Sequence, residues 1–207
     1  MKYIQRFLVA LTLSLAAFAG SGALSGARAE DKDPRLQDMV LGKADAPVTI
    51  IEYASMTCPH CAHFAETVLP DLKKDYIDTG KVKLIFRDFP LDQMAYFGSV
   101  LARCAGPTKY FTYLDVIFAQ QAAWISNDQQ TTINNLKQIG RLGGLPAEQF
   151  DKCLADKAMG EYILNSRLEG NQKFKVNSTP TLIINGDVEP GVPSYDELRK
   201  KLDKLAK

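Results

Sequence analysis

In Val48-Thr49-Ile50-Ile51-Glu52-Tyr53-Ala54-Ser55-Met56-Thr57-Cys58-Pro59-His60-Cys61 a β-branched and aromatic run leads straight into two cysteines three positions apart. Pro47 precedes the run, and Val48 to Tyr53 reads as a buried strand. From Pro59 to about Thr79 the apolar residues Phe64, Val68, Leu72 and Tyr76 recur at three- to four-residue spacing, so a helix starts at the cysteine motif. Pro70 is expected to kink that helix, and Gly80 to end it.

Outward from this segment, Val82 to Phe89 reads as a second strand, with Val82, Leu84 and Phe86 alternating with Lys83, Ile85 and Arg87 until Pro90 stops it. Residues 30–46 are polar and read as loop or arm. From Leu91 to Phe174 there is no strong strand run. The stretch reads as several helices, broken at Gly106-Pro107, Ser126-Asn127-Asp128 and Gly143-Gly144-Leu145-Pro146. Ser126 or Asn127 is the expected cap of the helix that follows. Tyr110, Phe111, Tyr113, Phe118 and Trp124 belong to the helical core in this reading. Strands return at Thr181 to Ile184, with a turn at Asn185-Gly186-Asp187 and a short run around Val188. Ser194 caps a final helix to about Leu205, with Glu197 in the capping-box position. The order is β-α-β, a helical block, then β-β-α. The expected organisation is an α/β domain from residues 30–90 and 175–207, with residues 91–174 inserted as a helical block.

Residues 1–29 read as a removable export signal. Lys2 and Arg6 precede an apolar run of about 13 residues, short of the roughly 20 that span a bilayer, and Ala27-Arg28-Ala29 is an A-x-A cleavage site. Losing Lys2, Arg6 and Arg28 takes the formal charge from +1 to −2. Nothing in that balance points to nucleic acid or anionic membrane as a partner, and none is expected. A composition of 46% hydrophobic and 24% charged residues is normal for a globular protein, so disorder is not the default reading. In an exported protein, the 4 cysteines read as disulfide chemistry rather than cytosolic metal ligation.

Thiol–disulfide exchange needs a thiolate attacker and a second thiol to resolve the mixed disulfide. Strand, C-x-x-C and helix in immediate succession provide both, because residues three apart on a helix share a face. Cys58 is expected at the exposed helix start, where unpaired N–H groups and the helix dipole favour an anion. Pro59 suits the first helical position. A protonated His60 adds positive charge. Together these lower the Cys58 pKa and stabilise the reduced form, which makes the disulfide an oxidant. Cys61 is the resolving thiol. Glu52, six residues before Cys58, reads either as a surface acid at a strand edge or as a buried carboxyl that relays a proton to Cys61.

Ala46-Pro47-Val48-Thr49, Glu52-Tyr53, Cys58-Pro59-His60-Cys61 and Ser178-Thr179-Pro180-Thr181 together resemble the DsbA family of bacterial thiol–disulfide oxidoreductases, from about Gly42 to the C-terminus. The resemblance implies a thioredoxin-like fold with a helical insertion and no cofactor. It also implies a cis-proline at Pro180 beside the cysteine pair, with Thr179 and Pro180 contacting substrate. The implied activity is a periplasmic oxidase that passes the Cys58–Cys61 disulfide to exported polypeptides with free thiols. A membrane quinone-linked oxidase would recharge it. No long dimerisation segment is evident before Val48, so a monomer is expected. A disulfide isomerase or reductase is the alternative, and a dithiol metal-binding stress chaperone the next.

Some members of that family carry a second disulfide in the helical region, and Cys104 with Cys153 is the expected pair here. Two inert buried thiols or a redox relay are the other readings. His63 is expected on a solvated helix face. Cys58, Cys61, His60 and His63 do not make a closed zinc site, and no metal is assigned. Copper(I) on the dithiol would be a side activity.

Overall fold

The computed structural model describes residues 32–206. The export signal, residues 1–29, lies outside the described residues. A single 3₁₀ turn (Pro34–Leu36) leads into β1 (Met39–Leu41) and β2 (Val48–Ala54). A helical stretch follows as α1 (Pro59–His63), a π turn (Phe64–Val68), α2 (Leu69–Leu72) and a second π turn (Lys73–Ile77). After β3 (Val82–Asp88) come α3 (Gln93–Cys104), α4 (Tyr110–Ala119), α5 (Gln121–Trp124), α6 (Gln129–Leu142), α7 (Ala147–Ala155) and α8 (Lys157–Phe174). The chain closes with β4 (Thr181–Ile184), β5 (Asp187–Pro190) and α9 (Tyr195–Leu205).

The five strands form one mixed sheet in the order β1-β3-β2-β4-β5. Only β2 and β3 run parallel, with Glu52 opposite Phe86 and Ala54 opposite Asp88. This is the thioredoxin-type arrangement with helices inserted between β3 and β4. On one face Val48, Ile50, Val82 and Leu84 pack against Phe64, Val68 and Leu72 of the long helical stretch and against Leu198 and Leu202 of α9. Further along that face, Ala54, Met56 and Phe86 join the core of the inserted helices. The opposite face, with Tyr53 and Ile183, is covered by Phe89, Val176 and Phe174.

Two close approaches fix the strand that leads into the cysteines. A Cβ on Gly98 would stand 2.9 Å from the Met56 side chain, and one on Gly170 would stand 2.6 Å from the Tyr53 ring. Helices α3 and α8 can therefore seat on β2 and its exit only because those positions carry no side chain.

Three local expectations change. Residues 39–41, read as loop, form edge strand β1, antiparallel to β3 and too short to show a period. The disturbance expected at Pro70 takes the form of a widened turn: Leu69 N–H donates to Phe64 O, five residues back, just ahead of the residue that lacks an N–H. The cap of α6 is Asp128, whose carboxylate accepts from Thr131 N at 2.7 Å, because the Ser126 hydroxyl is already taken by Asp128 N. The Ser194–Glu197 capping box and the Asn185-Gly186 turn, both residues at positive φ, are present as read.

Candidate active site

The end of β2 aims the chain at the first turn of α1, where Cys58 occupies the N-cap with extended backbone and Pro59 the first helical position. Cys58 O accepts from Cys61 N at 3.1 Å and Ala62 N at 3.2 Å, which fixes the two cysteines on one turn. The sequence places Cys58 at an exposed helix start, but its residue is only 6% exposed, and Cys61 is fully buried. The cover is long-range. The Thr179–Pro180 peptide is cis, and Thr179 O accepts from Cys58 Sγ at 3.3 Å. From the other side, Gln121 Nε2 donates to Met56 O at 2.8 Å and to Cys58 O at 3.0 Å. Thr57 Oγ1 donates to Asp92 Oδ2 at 2.7 Å, tying the residue before Cys58 to the cap of α3.

The two thiols are electrostatically unlike. Cys58 is held down to about 5, first by the Cys61 thiol donating to it, against an opposing cost of burial. The Thr179 hydroxyl and the backbone N–H groups of Cys61 and His60 lower it further. The Thr179 hydroxyl is buried and makes no hydrogen bond in this geometry, so it can turn toward a Cys58 thiolate without giving up a partner. Cys61 is pushed far up, first by burial, then by the bond it gives to Cys58 and by the charge of Glu52. Glu52 is 2% exposed with Oε1 unpartnered. Burial first, and then the Cys58 charge, push its carboxyl up to about 8. It is therefore an interior carboxyl beneath the cysteine pair.

His60 is exposed, and the influence it has on Cys58 comes through its backbone N–H; no imidazole contact to sulfur occurs among the described residues. His63 is also exposed and pairs with Thr67 on the helix surface. No group of three metal-binding side chains occurs among the described residues. Cys104 and Cys153 are joined to each other, linking α3 to α7 in the helical core, with Arg35 Nη1 3.4 Å from Cys153 Sγ. Sequence reasoning missed Gln121 and the buried Asp88–Arg103 ion pair (2.6 Å), because neither lies near the motif in the chain.

The family model described as thioredoxin matches residues 35–204. The crystal structure of Wolbachia pipientis alpha-DsbA1 superposes with a TM-score of 0.77 at 31% identity, covering 82% of this chain and 91% of that one. The chain belongs to the DsbA family of thioredoxin-like proteins. A Rickettsia felis protein with the provisional name protein-disulfide oxidoreductase is 37% identical over 169 residues, covering 81% of this chain and 59% of its own length. The chain thus spans about three-fifths of that relative. The Bacillus cereus protein provisionally named disulfide bond formation protein D is 30% identical over 223 residues, with both chains fully covered. In this DsbA-family chain no helix among the described residues is long and apolar enough to cross a membrane.

Proposed function

We propose that this DsbA-family protein is a thiol–disulfide oxidoreductase working as an exported oxidase, with Cys58 as the reacting sulfur and Cys61 as the resolving one. The single observation that carries the reading is the inequality of the two thiols: Cys58 is held down to about 5 while Cys61 is pushed far up. A substrate thiolate attacks Cys58 Sγ of the enzyme disulfide, the Sγ–Sγ bond breaks, and Cys61 leaves. Buried Cys61 cannot remain an anion and takes a proton, for which the Glu52 carboxyl beneath it is the donor. A second substrate thiolate then attacks the substrate sulfur of the mixed disulfide and expels Cys58 as a stabilised thiolate. The substrate is oxidised by two electrons and the enzyme is reduced. Stabilising the leaving thiolate favours this direction.

Thr179 and Pro180 contact substrate in this reading, beside the Thr179 O that meets Cys58 Sγ. His60 supports the thiolate through its N–H, and the Cys104–Cys153 bond is structural. Residues 1–29 direct export to the periplasm, where the protein acts as a monomer on exported chains with free thiols, and a membrane quinone-linked oxidase accepts the electrons.

The test is the glutathione redox equilibrium of the Cys58–Cys61 pair together with thiolate absorbance against pH. The expected results are a Cys58 pKa near 5 and a potential well above the roughly −270 mV of thioredoxin. A near-ordinary Cys58 pKa with a strongly reducing potential would overturn the oxidase reading in favour of a reductase.

A further inference from the structure

Gln121, the first residue of α5, carries the inserted helices to the backbone of the cysteine motif across 63 positions. We propose that Gln121 is a positioning residue for the reacting sulfur: by holding two carbonyls of the loop that bears Cys58, it keeps Cys58 Sγ over the first turn of α1 and sets how strongly the thiolate is stabilised. The inference rests on the oxidoreductase reading above and deepens it, because it names a residue outside the motif that tunes the reaction.

Helix α5 is a firm mount for that side chain. Trp124 is fully buried, and its Nε1 donates to Ile117 O at 2.7 Å. Gln120 O accepts from Ala123 N at 2.8 Å and Trp124 N at 3.2 Å, and Asn135 Nδ2 of α6 donates to Ala123 O at 3.2 Å. A primary amide has two N–H donors, and Gln121 Nε2 gives them to Met56 O at 2.8 Å and Cys58 O at 3.0 Å. Met56 is fully buried, and its carbonyl accepts from no other donor among the described residues. A buried carbonyl left unpaired is costly, so the loop follows the amide.

Cys58 O receives three donors, and Gln121 is the nearest: Cys61 N stands at 3.1 Å and Ala62 N at 3.2 Å. The two helical N–H groups belong to α1 and turn with it. Among the described residues, only the amide ties this carbonyl to a frame outside the motif. The carbonyl carbon and Cβ hang from the same Cα, so the direction of the carbonyl fixes ψ at Cys58, 120° here. With ψ goes the placement of Sγ against the His60 and Cys61 N–H groups and the Cys61 thiol, the groups that favour its anion. Such bonds weaken steeply with distance and angle. The neighbouring brace, Thr57 Oγ1 to Asp92 Oδ2, holds a side chain and leaves the Cys58 carbonyl free to turn.

The test measures thiolate absorbance against pH and the glutathione equilibrium for wild type, Q121M, Q121K and C104S/C153S. Q121M keeps the volume of the side chain and loses both donors. Its Cys58 pKa should rise from about 5 to about 6, a roughly tenfold gain in proton affinity, and its glutathione equilibrium at pH 7 should move about tenfold toward the oxidised enzyme. Q121K returns N–H donors to the same place and should lie closer to wild type than Q121M does. C104S/C153S loosens the inserted helices without removing the amide, and should keep wild-type values in both measurements. Q121M within about a factor of two of wild type, whatever its stability, overturns the proposal. So does Q121K as far from wild type as Q121M, which would assign the effect to packing, or an equal shift in C104S/C153S, which would assign it to general loosening. A wild-type Cys58 near the roughly 8.5 of a free cysteine would remove the oxidase reading itself, and this inference with it.

Discussion

Replacing Glu52 with Gln removes a carboxyl that the fold holds 2% exposed with one oxygen unpartnered. Burial and the Cys58 charge push it from 4.5 to about 8. A folded-state pKa raised above the unfolded one contributes stability that is fully present below 4.5 and is lost as pH rises through 8. Between pH 5 and pH 8 the unfolded chain ionises this group while the folded protein resists. Integrating that difference gives a loss of about 3.5 kcal/mol for the reduced protein. No screening discount applies to a group so fully buried. Cys58 acts in the opposite sense: its pKa is depressed to about 5, so its contribution is present at high pH and lost as pH falls through 5. Only the difference between wild type and E52Q isolates Glu52. Urea unfolding of both reduced proteins at several pH values measures it. E52Q should gain on wild type by about 3.5 kcal/mol from pH 5 to pH 8, or roughly 10 °C in Tm for a chain of this size. With the Cys58–Cys61 disulfide formed, the Cys58 charge is gone and the gain should shrink. A wild-type-minus-variant difference flat to within about 1 kcal/mol across that range would refute the desolvated-carboxyl argument.

Cys61→Ala should accumulate mixed disulfides through Cys58, read by mass spectrometry of trapped adducts; trapping through Cys61 in the reciprocal Cys58→Ala variant would reverse the assignment. Gln121→Ala strips Met56 O and Cys58 O of a shared donor and should cost about 1–3 kcal/mol in urea unfolding, with faster amide exchange over residues 56–61. C104S/C153S opens a bridge with a sequence separation of 49 and should lose up to roughly 4 kcal/mol, while the glutathione potential of Cys58–Cys61 stays unchanged.

By itself the sequence determined the elements whose signals are local. The Val48–Tyr53 run, the alternation in Val82–Asp88, the Asn185-Gly186 turn and the Ser194–Glu197 box each follow from side-chain period, backbone freedom or a cap within four residues. Cysteines three apart at the start of a helix likewise fall on one turn whatever surrounds them. Tertiary structure decided what such signals cannot carry. Strand β1 exists because β3 pairs with it. Asp88 and Arg103 are tolerable in the interior only because the fold brings them to 2.6 Å of each other. Glu52 reads from sequence as either a surface or an interior acid, and the cover of α1 and the inserted helices made it interior. The character of the site came from the greatest distances. Thr179 O reaches Cys58 Sγ across 121 positions and Gln121 reaches Cys58 O across 63, closing over a cysteine that the motif alone left exposed. A thiol's pKa depends on the donors and the solvent within a few ångströms, and the chain supplies those donors from segments that meet only after folding.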